Sequence, residues 1–236
     1  MAKKYKVYLG IGHGGSDPGA VANGIEEADV NLVIGKACAA ELERHGVEVK
    51  ISRTKDVDKP LTERIRECNT FSPDLAADIH NNAGGGDGAE VYHTIYAGAG
   101  KDLANNILTE IKAIGQNSRG AKTLKNSRGT DYYGFIRETN CPAVIVECAF
   151  LDNKKDVQII DTTAKQKAMG AAIAKGFLRQ LKVEYMIGCA SGKEDAATGV
   201  IYRVQVGAYS KRAGAETMLN QLRAAGFGGI IVKSEN

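Results

Sequence analysis

The chain has 236 residues, of which 43% are hydrophobic and 25% are charged, and its formal net charge is +3. This is the composition of a globular protein, and the absence of any run of ~18 apolar residues excludes a membrane-spanning helix, so we expect no membrane insertion. The small basic excess argues against nucleic acid as a partner, because phosphate-dominated binding needs a dense face of Lys and Arg.

The N-terminal segment has lysines but lacks the apolar stretch and the small-residue cleavage site of a signal peptide. We therefore expect synthesis in the cytoplasm without a signal peptide. The number of cysteines is odd and no Cys-x-x-Cys pair occurs, which argues against a disulfide framework or a structural zinc knuckle. We expect all five to be small core residues, namely Cys38, Cys68, Cys141, Cys148 and Cys189.

Strand and helix patterns alternate along most of the chain. Segments rich in β-branched residues predict strands at 5–11, 47–52, 74–80, 88–96 and 142–148. Apolar residues at helical spacing predict helices at 27–44, about 61–69, 100–114 and 164–181. This order predicts an α/β domain, residues 1–181, with a twisted, largely parallel sheet and helices on both faces.

The remaining residues predict a small appendage. Residues 182–199 have little periodicity and are typical of a linker. After them, a strand from Ile201, a helix at 211–225 and a strand from Gly229 predict a small C-terminal βαβ-type unit, residues 200–236.

Four side chains are candidates for chemistry at one edge of the predicted sheet. His13 follows the first strand, His80 ends the third, and Glu147 ends the last, while Glu27 begins the first helix. The carboxyl ends of parallel strands form the edge at which ligands bind in such folds. Two histidines and one carboxylate are typical of a catalytic zinc site with an open position for water, and a second carboxylate can accept the proton of that water.

Other interpretations of these residues remain open at this point. A histidine after a strand is commonly an ordinary hydrogen-bonded group. The segment Gly10–Gly15 matches the dinucleotide-binding pattern G-x-G-x-x-G, although the expected helix does not follow it directly. Ser-His-Asp catalysis is disfavoured because no G-x-S-x-G segment occurs.

Four motifs resemble those of the zinc-dependent N-acetylmuramoyl-L-alanine amidases of type 3. They are Gly12–Ala20, Glu27–Leu32, Asp78–Ala83 and Val144–Asn153. The resemblance implies hydrolysis of the amide between N-acetylmuramic acid and L-alanine in bacterial peptidoglycan. It implies Zn²⁺ held by His13, Glu27 and His80, with Glu147 as general base and then acid.

The resemblance also raises expectations about the surroundings of the site. Inactive family members carry an additional helix before the catalytic segment, whereas residues 97–141 leave room for one helix and a loop, so we expect an open site. Glu90 is expected either to orient a ligand histidine or to be solvated. Cys148 is expected in the core, and His45 and His93 at the surface.

The C-terminal segment resembles one half of a SPOR repeat, a peptidoglycan-binding domain. The similarity lies in Tyr202–Ser210, Ala215–Leu222 and Ala225–Phe227. Because a full domain has two such halves, a homodimer formed through residues 200–236 would supply the missing one.

We expect a lytic amidase that acts on the cell wall after release, as a phage endolysin or a sporulation hydrolase. The alternative is a non-catalytic peptidoglycan-binding wall protein with a structural metal site.

Overall fold

The computed structural model describes residues 4–186, 205–224 and 229–233. Two compact units are present, Met1–Glu184 and Tyr185–Asn236. The strands are β1 (Lys6–Ile11), β2 (Val21–Ala22), β3 (Ile25–Glu26), β4 (Glu48–Ile51), β5 (Leu75–Asn82), β6 (Ala89–Tyr92), β7 (Ser118–Lys122) and β8 (Ala143–Phe150). The helices are α1 (Glu27–Arg44), α2 (Leu61–Phe71), α3 (Ala99–Ala113), α4 (Gly134–Glu138), α5 (Lys154–Ile160), α6 (Thr163–Leu181) and α7 (Arg212–Ala224).

The first unit is built on a six-stranded sheet in the order β4-β1-β5-β8-β6-β7. Neighbouring strands are parallel except β6 and β8, which are antiparallel. The predicted α/β fold with a largely parallel sheet is therefore confirmed. All five predicted strands and the four predicted helices of this unit are present, with ends shifted by a few residues.

Successive residues of β1 point to opposite faces of the sheet, and each face has its own helices. Ile11 packs against α1, which in turn packs on α6, and α3 packs on α6. Tyr8 points to the other face and lies in a buried cluster with Ile65 of α2 and Phe135 of α4. The helices α2 and α4 therefore pack on this second face.

The segment between β6 and β8 is richer in structure than predicted. We expected one helix and a loop at 97–141, whereas α3, β7 and α4 are present. The sequence of β7, Ser-Arg-Gly-Ala-Lys, has no β-branched residue, so its strand conformation depends on pairing with β6. The short hairpin of β2 and β3 and the helix α5 were also not predicted.

Two histidines expected at the surface are buried, so that expectation was wrong. His45 follows α1, and its Nδ1 lies 2.8 Å from the carbonyl oxygen of Glu41. His93 follows β6, and its Nδ1 lies 2.7 Å from the carbonyl oxygen of Thr94. A histidine that pairs with a nearby backbone carbonyl can be buried at low cost, and sequence position alone does not reveal such a partner.

The cysteines largely follow expectation. Cys38, Cys68 and Cys148 are buried and free, whereas Cys141 is free and half-buried beside Cys68. Cys189 lies outside the described residues. Among the described residues, no helix is both long and apolar enough to cross a membrane.

In the second unit, the predicted helix is present as α7, but the predicted strand at its C-terminal side is not. Residues 229–233 and 205–206 have no strand conformation, and residues 201–204 lie outside the described part. Val206, Ile230 and Val232 are exposed, with Ile230 86% accessible. A strand needs a hydrogen-bonded neighbour, and the described residues of this unit contain no such neighbour.

Candidate metal centre

Three of the predicted site residues come together at the edge of the sheet. His13 lies in the loop after β1, Glu27 is the first residue of α1, and His80 lies on β5. One potential ligand atom from each lies within 4.8 Å of the others. His13 Nε2 is 3.2 Å from Glu27 Oε2, and His80 Nδ1 is 3.0 Å from Glu27 Oε1. Two imidazole nitrogens and a carboxylate therefore face one point, which is a donor set that suits zinc.

The second nitrogen of each imidazole ring contacts a carboxylate. His13 Nδ1 lies 2.8 Å from Asp17 Oδ2, and His80 Nε2 lies 3.4 Å from Asp78 Oδ2. Asp78 is buried and forms an ion pair with Arg64, with 3.3 Å between Oδ1 and Nη1. Such carboxylates fix the orientation of metal-binding histidines and increase their basicity. The motif sequences contain both aspartates, but their roles were not predicted.

Glu90 does not perform the orienting role that the sequence suggested, nor is it solvated. Its carboxylate is buried and accepts hydrogen bonds from Arg119, Lys122 and Tyr92. Burial alone would raise the pKa of Glu90, but these three partners lower it overall. Glu90 is therefore an ionised group that holds the two cations of β7 in place.

The Glu27 carboxylate is fixed by donors as well as by the two histidines. Oε1 accepts hydrogen bonds from the backbone N–H of Asn81 at 3.0 Å and from Nδ2 of Asn31 at 3.1 Å, and Oε2 accepts one from the N–H of Ala20 at 3.0 Å. Burial raises the pKa of Glu27, but the hydrogen bonds to both histidines and to the backbone outweigh burial and hold it well below its usual range. Glu27 is therefore ionised, as a metal ligand must be.

Two glycines of β1 and its following loop make room for the site. A Cβ on Gly10 would lie 2.3 Å from Oδ1 of Asp78, and one on Gly12 would lie 2.1 Å from Cε1 of His80. The absence of a side chain at Gly10 and Gly12 therefore leaves space for Asp78 and His80 of β5. The β2–β3 hairpin separates this loop from α1, so the helix start that the dinucleotide-binding interpretation requires is absent here.

Glu147 lies beside the histidine and carboxylate cluster on β8. It is in register with His80 on β5 and with Glu90 on β6. Its Oε2 atom is buried and has no hydrogen-bond partner among the described residues. The pKa of Glu147 is raised to about 7, mainly by burial. His80 lowers this pKa, whereas the negative charges of Glu27 and Glu90 raise it further. A carboxyl group of this kind can accept and return a proton near neutral pH.

The neighbouring residue Cys148 points to the other side of the sheet and is fully buried, as expected from strand alternation.

Comparison with known proteins decides the family. The family model for N-acetylmuramoyl-L-alanine amidase matches residues 7–179. The chain belongs to this amidase family. It is accordingly a hydrolase, an N-acetylmuramoyl-L-alanine amidase acting on peptidoglycan. A second family model, the SPOR domain, matches residues 171–233 and so begins within α6.

Similar proteins cover most of the amidase. The N-acetylmuramoyl-L-alanine amidase CwlM of Bacillus licheniformis is 33% identical over 233 residues, which are 96% of this chain and 84% of the relative. The endolysin of Bacillus phage SPP1 is 33% identical over 198 residues, 80% of this chain and 70% of the relative. The structure of the amidase AmiC2 of Nostoc punctiforme superposes with a TM-score of 0.69 and 29% identity, covering 77% of this chain and 99% of that one.

Proposed function

We propose that the amidase is a zinc enzyme in which His13, Glu27 and His80 hold the metal and Glu147 transfers protons. The observation that carries this proposal is the unpaired, buried Oε2 of Glu147 beside a cluster of two imidazoles and one carboxylate. A zinc ion held by these three residues would lower the pKa of water toward ~7 and would polarise the carbonyl of the scissile amide. The bond to be cleaved joins the lactyl group of N-acetylmuramic acid to L-alanine.

The residues of the chain have separate tasks in this reaction. Asp17 and Asp78 hold the rings of His13 and His80 so that Nε2 and Nδ1 point towards Glu27. Glu147 takes the proton of the attacking water and delivers it to the leaving amide nitrogen, which becomes the free amino group of L-alanine. The pKa near 7 suits both transfers, because the same carboxyl group must act first as base and then as acid.

Removing and restoring the metal tests this proposal. Treatment of the full chain with a chelator should abolish the turbidity loss of purified cell walls, and added Zn²⁺ should restore it. Mg²⁺ serves as the matched control, since it prefers oxygen ligands and should restore nothing. Full activity in chelator-treated protein that contains no zinc would contradict this proposal.

The domain division and place of action are part of the same proposal. We assign residues 1–181 to catalysis, 182–199 to a linker, and 200–236 to a partial SPOR-like unit that binds peptidoglycan. The amidase would act on the cell wall after release from the cytoplasm, which agrees with its similarity to a phage endolysin.

We further propose that residues 200–236 form a homodimer. On α7, the less exposed positions Ala215, Met218, Leu219 and Leu222 form one stripe, while Ile230 and its neighbours are exposed. Pairing of two copies would cover these apolar residues and provide strand neighbours. Such a dimer, rather than the single chain, would provide the glycan-binding sheet.

Light scattering at tens of micromolar should therefore give the mass of a dimer for the full chain. A chain that ends at Glu184 should give the mass of a monomer at the same concentration, and Ile230→Asp in the full chain should weaken the dimer. A monomeric full chain would contradict the shared sheet.

A further inference from the structure

A run of tyrosine rings leads away from Glu147. Glu90 is in register with Glu147 across β6 and β8, and Tyr92 lies two residues further along β6, on the same face of the sheet. The ring of Tyr92 lies 4.9 Å from that of Tyr133, and the ring of Tyr133 lies 5.2 Å from that of Tyr132. Both separations fall in the range of favourable aromatic pairs. The three rings therefore form one continuous aromatic surface.

The two ends of this surface lie in different environments. At the inner end, the Tyr92 hydroxyl donates to Glu90 Oε2 at 2.9 Å. The pKa of Tyr133 is raised by burial first and then by the negative charge of Glu147. At the outer end, Tyr132 is 56% exposed. The surface thus extends from Glu90, which is next to Glu147 in the sheet, to solvent.

The backbone that carries Tyr132 is held on several sides. Its N–H donates to the carbonyl oxygen of Leu124 at 2.9 Å, and its carbonyl accepts from Nη1 of Arg137 at 2.9 Å. The preceding residue, Asp131, accepts from the same Arg137 nitrogen through its carbonyl and from the Thr94 hydroxyl through its carboxylate, both at 2.7 Å. An exposed ring on a fixed backbone loses little conformational entropy when it binds a ligand.

Resting on the proposed function, we infer that Tyr132 is a sugar-binding residue of the amidase. Its ring packs on the apolar C–H face of a hexosamine that neighbours the N-acetylmuramic acid whose amide reaches Glu147. A pyranose ring has an apolar C–H face, and the flat ring of an exposed tyrosine is a surface on which such a face packs. The glycan strand is the part of the substrate that offers such rings in a row.

Kinetics with two soluble substrates test this inference. One substrate is a tetrasaccharide bearing stem peptides, and the other is a single N-acetylmuramic acid bearing the same peptide. Tyr132→Ala should raise KM for the tetrasaccharide by ~10-fold, as expected for loss of one stacking contact, and leave kcat within about twofold. KM for the single-sugar substrate should not change. Tyr132→Phe is the matched control and should stay within about twofold of the unaltered protein on both substrates, because it keeps the ring.

Three results would overturn the inference. An unchanged KM for the tetrasaccharide would remove Tyr132 from substrate binding. An equal rise for both substrates would assign the ring to the stem peptide, and an equal loss in Tyr132→Phe would assign the effect to the hydroxyl group alone. Metal content and the unfolding midpoint of each variant verify the fold. An unaltered protein that cleaves neither substrate would instead overturn the proposed function itself.

Discussion

Replacing Glu147 with glutamine is expected to lower the amidase rate by ~100-fold or more while the chain keeps its metal. Glutamine preserves the shape of the side chain on β8 but cannot accept the proton of the attacking water. Because Oε2 of Glu147 contacts no hydrogen-bond partner in the described structure, the substitution breaks no structural bond at that atom. The loss should therefore appear in kcat rather than in stability.

Assays of cell-wall turbidity together with metal analysis measure this effect. Glu43→Gln is a matched control, because Glu43 is an exposed glutamate on α1 away from the cluster. Lysis by Glu147→Gln at a rate near that of the control would refute the role assigned to Glu147. Loss of metal from Glu147→Gln would instead make this residue a ligand.

Removing any one of the three proposed ligands is expected to abolish stoichiometric metal binding and, with it, amidase activity. His13→Ala, Glu27→Ala and His80→Ala each leave two protein ligands, which is too few for tight binding of zinc. Asp17→Asn and Asp78→Asn keep the three ligands but weaken the contacts that orient the histidines, so each should lower metal affinity by ~10–100-fold. Asp78→Asn also weakens the ion pair with Arg64.

Metal content per folded chain is the measurement, with circular dichroism to verify the fold. His93→Gln is the control, since His93 is also a buried histidine but bonds to the carbonyl of Thr94 away from the cluster. It should keep one metal ion per chain. A ligand variant that also keeps one ion would remove that residue from the set.

The positions of the proposed ligands were predictable because two local rules coincide. His80 follows an apolar run that predicts a strand, and Glu27 begins the clearest helical pattern, whose ends agree with α1 (Glu27–Arg44). Parallel strands and the helices that follow them meet at one edge, so residues distant in sequence were expected to lie together. Gly10 and Gly12 matched a dinucleotide-binding pattern that the structure does not support. Gly12 lacks a side chain because a Cβ there would collide with the ring of His80, and the sequence does not show that distance.

The features that were not predicted depend on partners rather than on local sequence. The strand conformation of β7 depends on its pairing with β6. The sequence of β6, only four residues long, does not indicate that this strand runs antiparallel to β8. Asp78 alternates with His80 on one strand, yet its role depends on Arg64 of α2. The predicted strand at 229–233 needs a neighbour that the described residues do not provide, and for this reason its formation is tied to the proposed dimer.

Hydrolysis of purified peptidoglycan in ¹⁸O-labelled water tests the central claim most directly. Attack by water on the lactyl carbonyl predicts one ¹⁸O atom in the carboxylate of N-acetylmuramic acid and a new free amino group on L-alanine. Glu147→Gln should form both products ~100-fold or more slowly. New reducing sugar ends, or amino groups on residues other than L-alanine, would place the cleaved bond elsewhere and contradict the account.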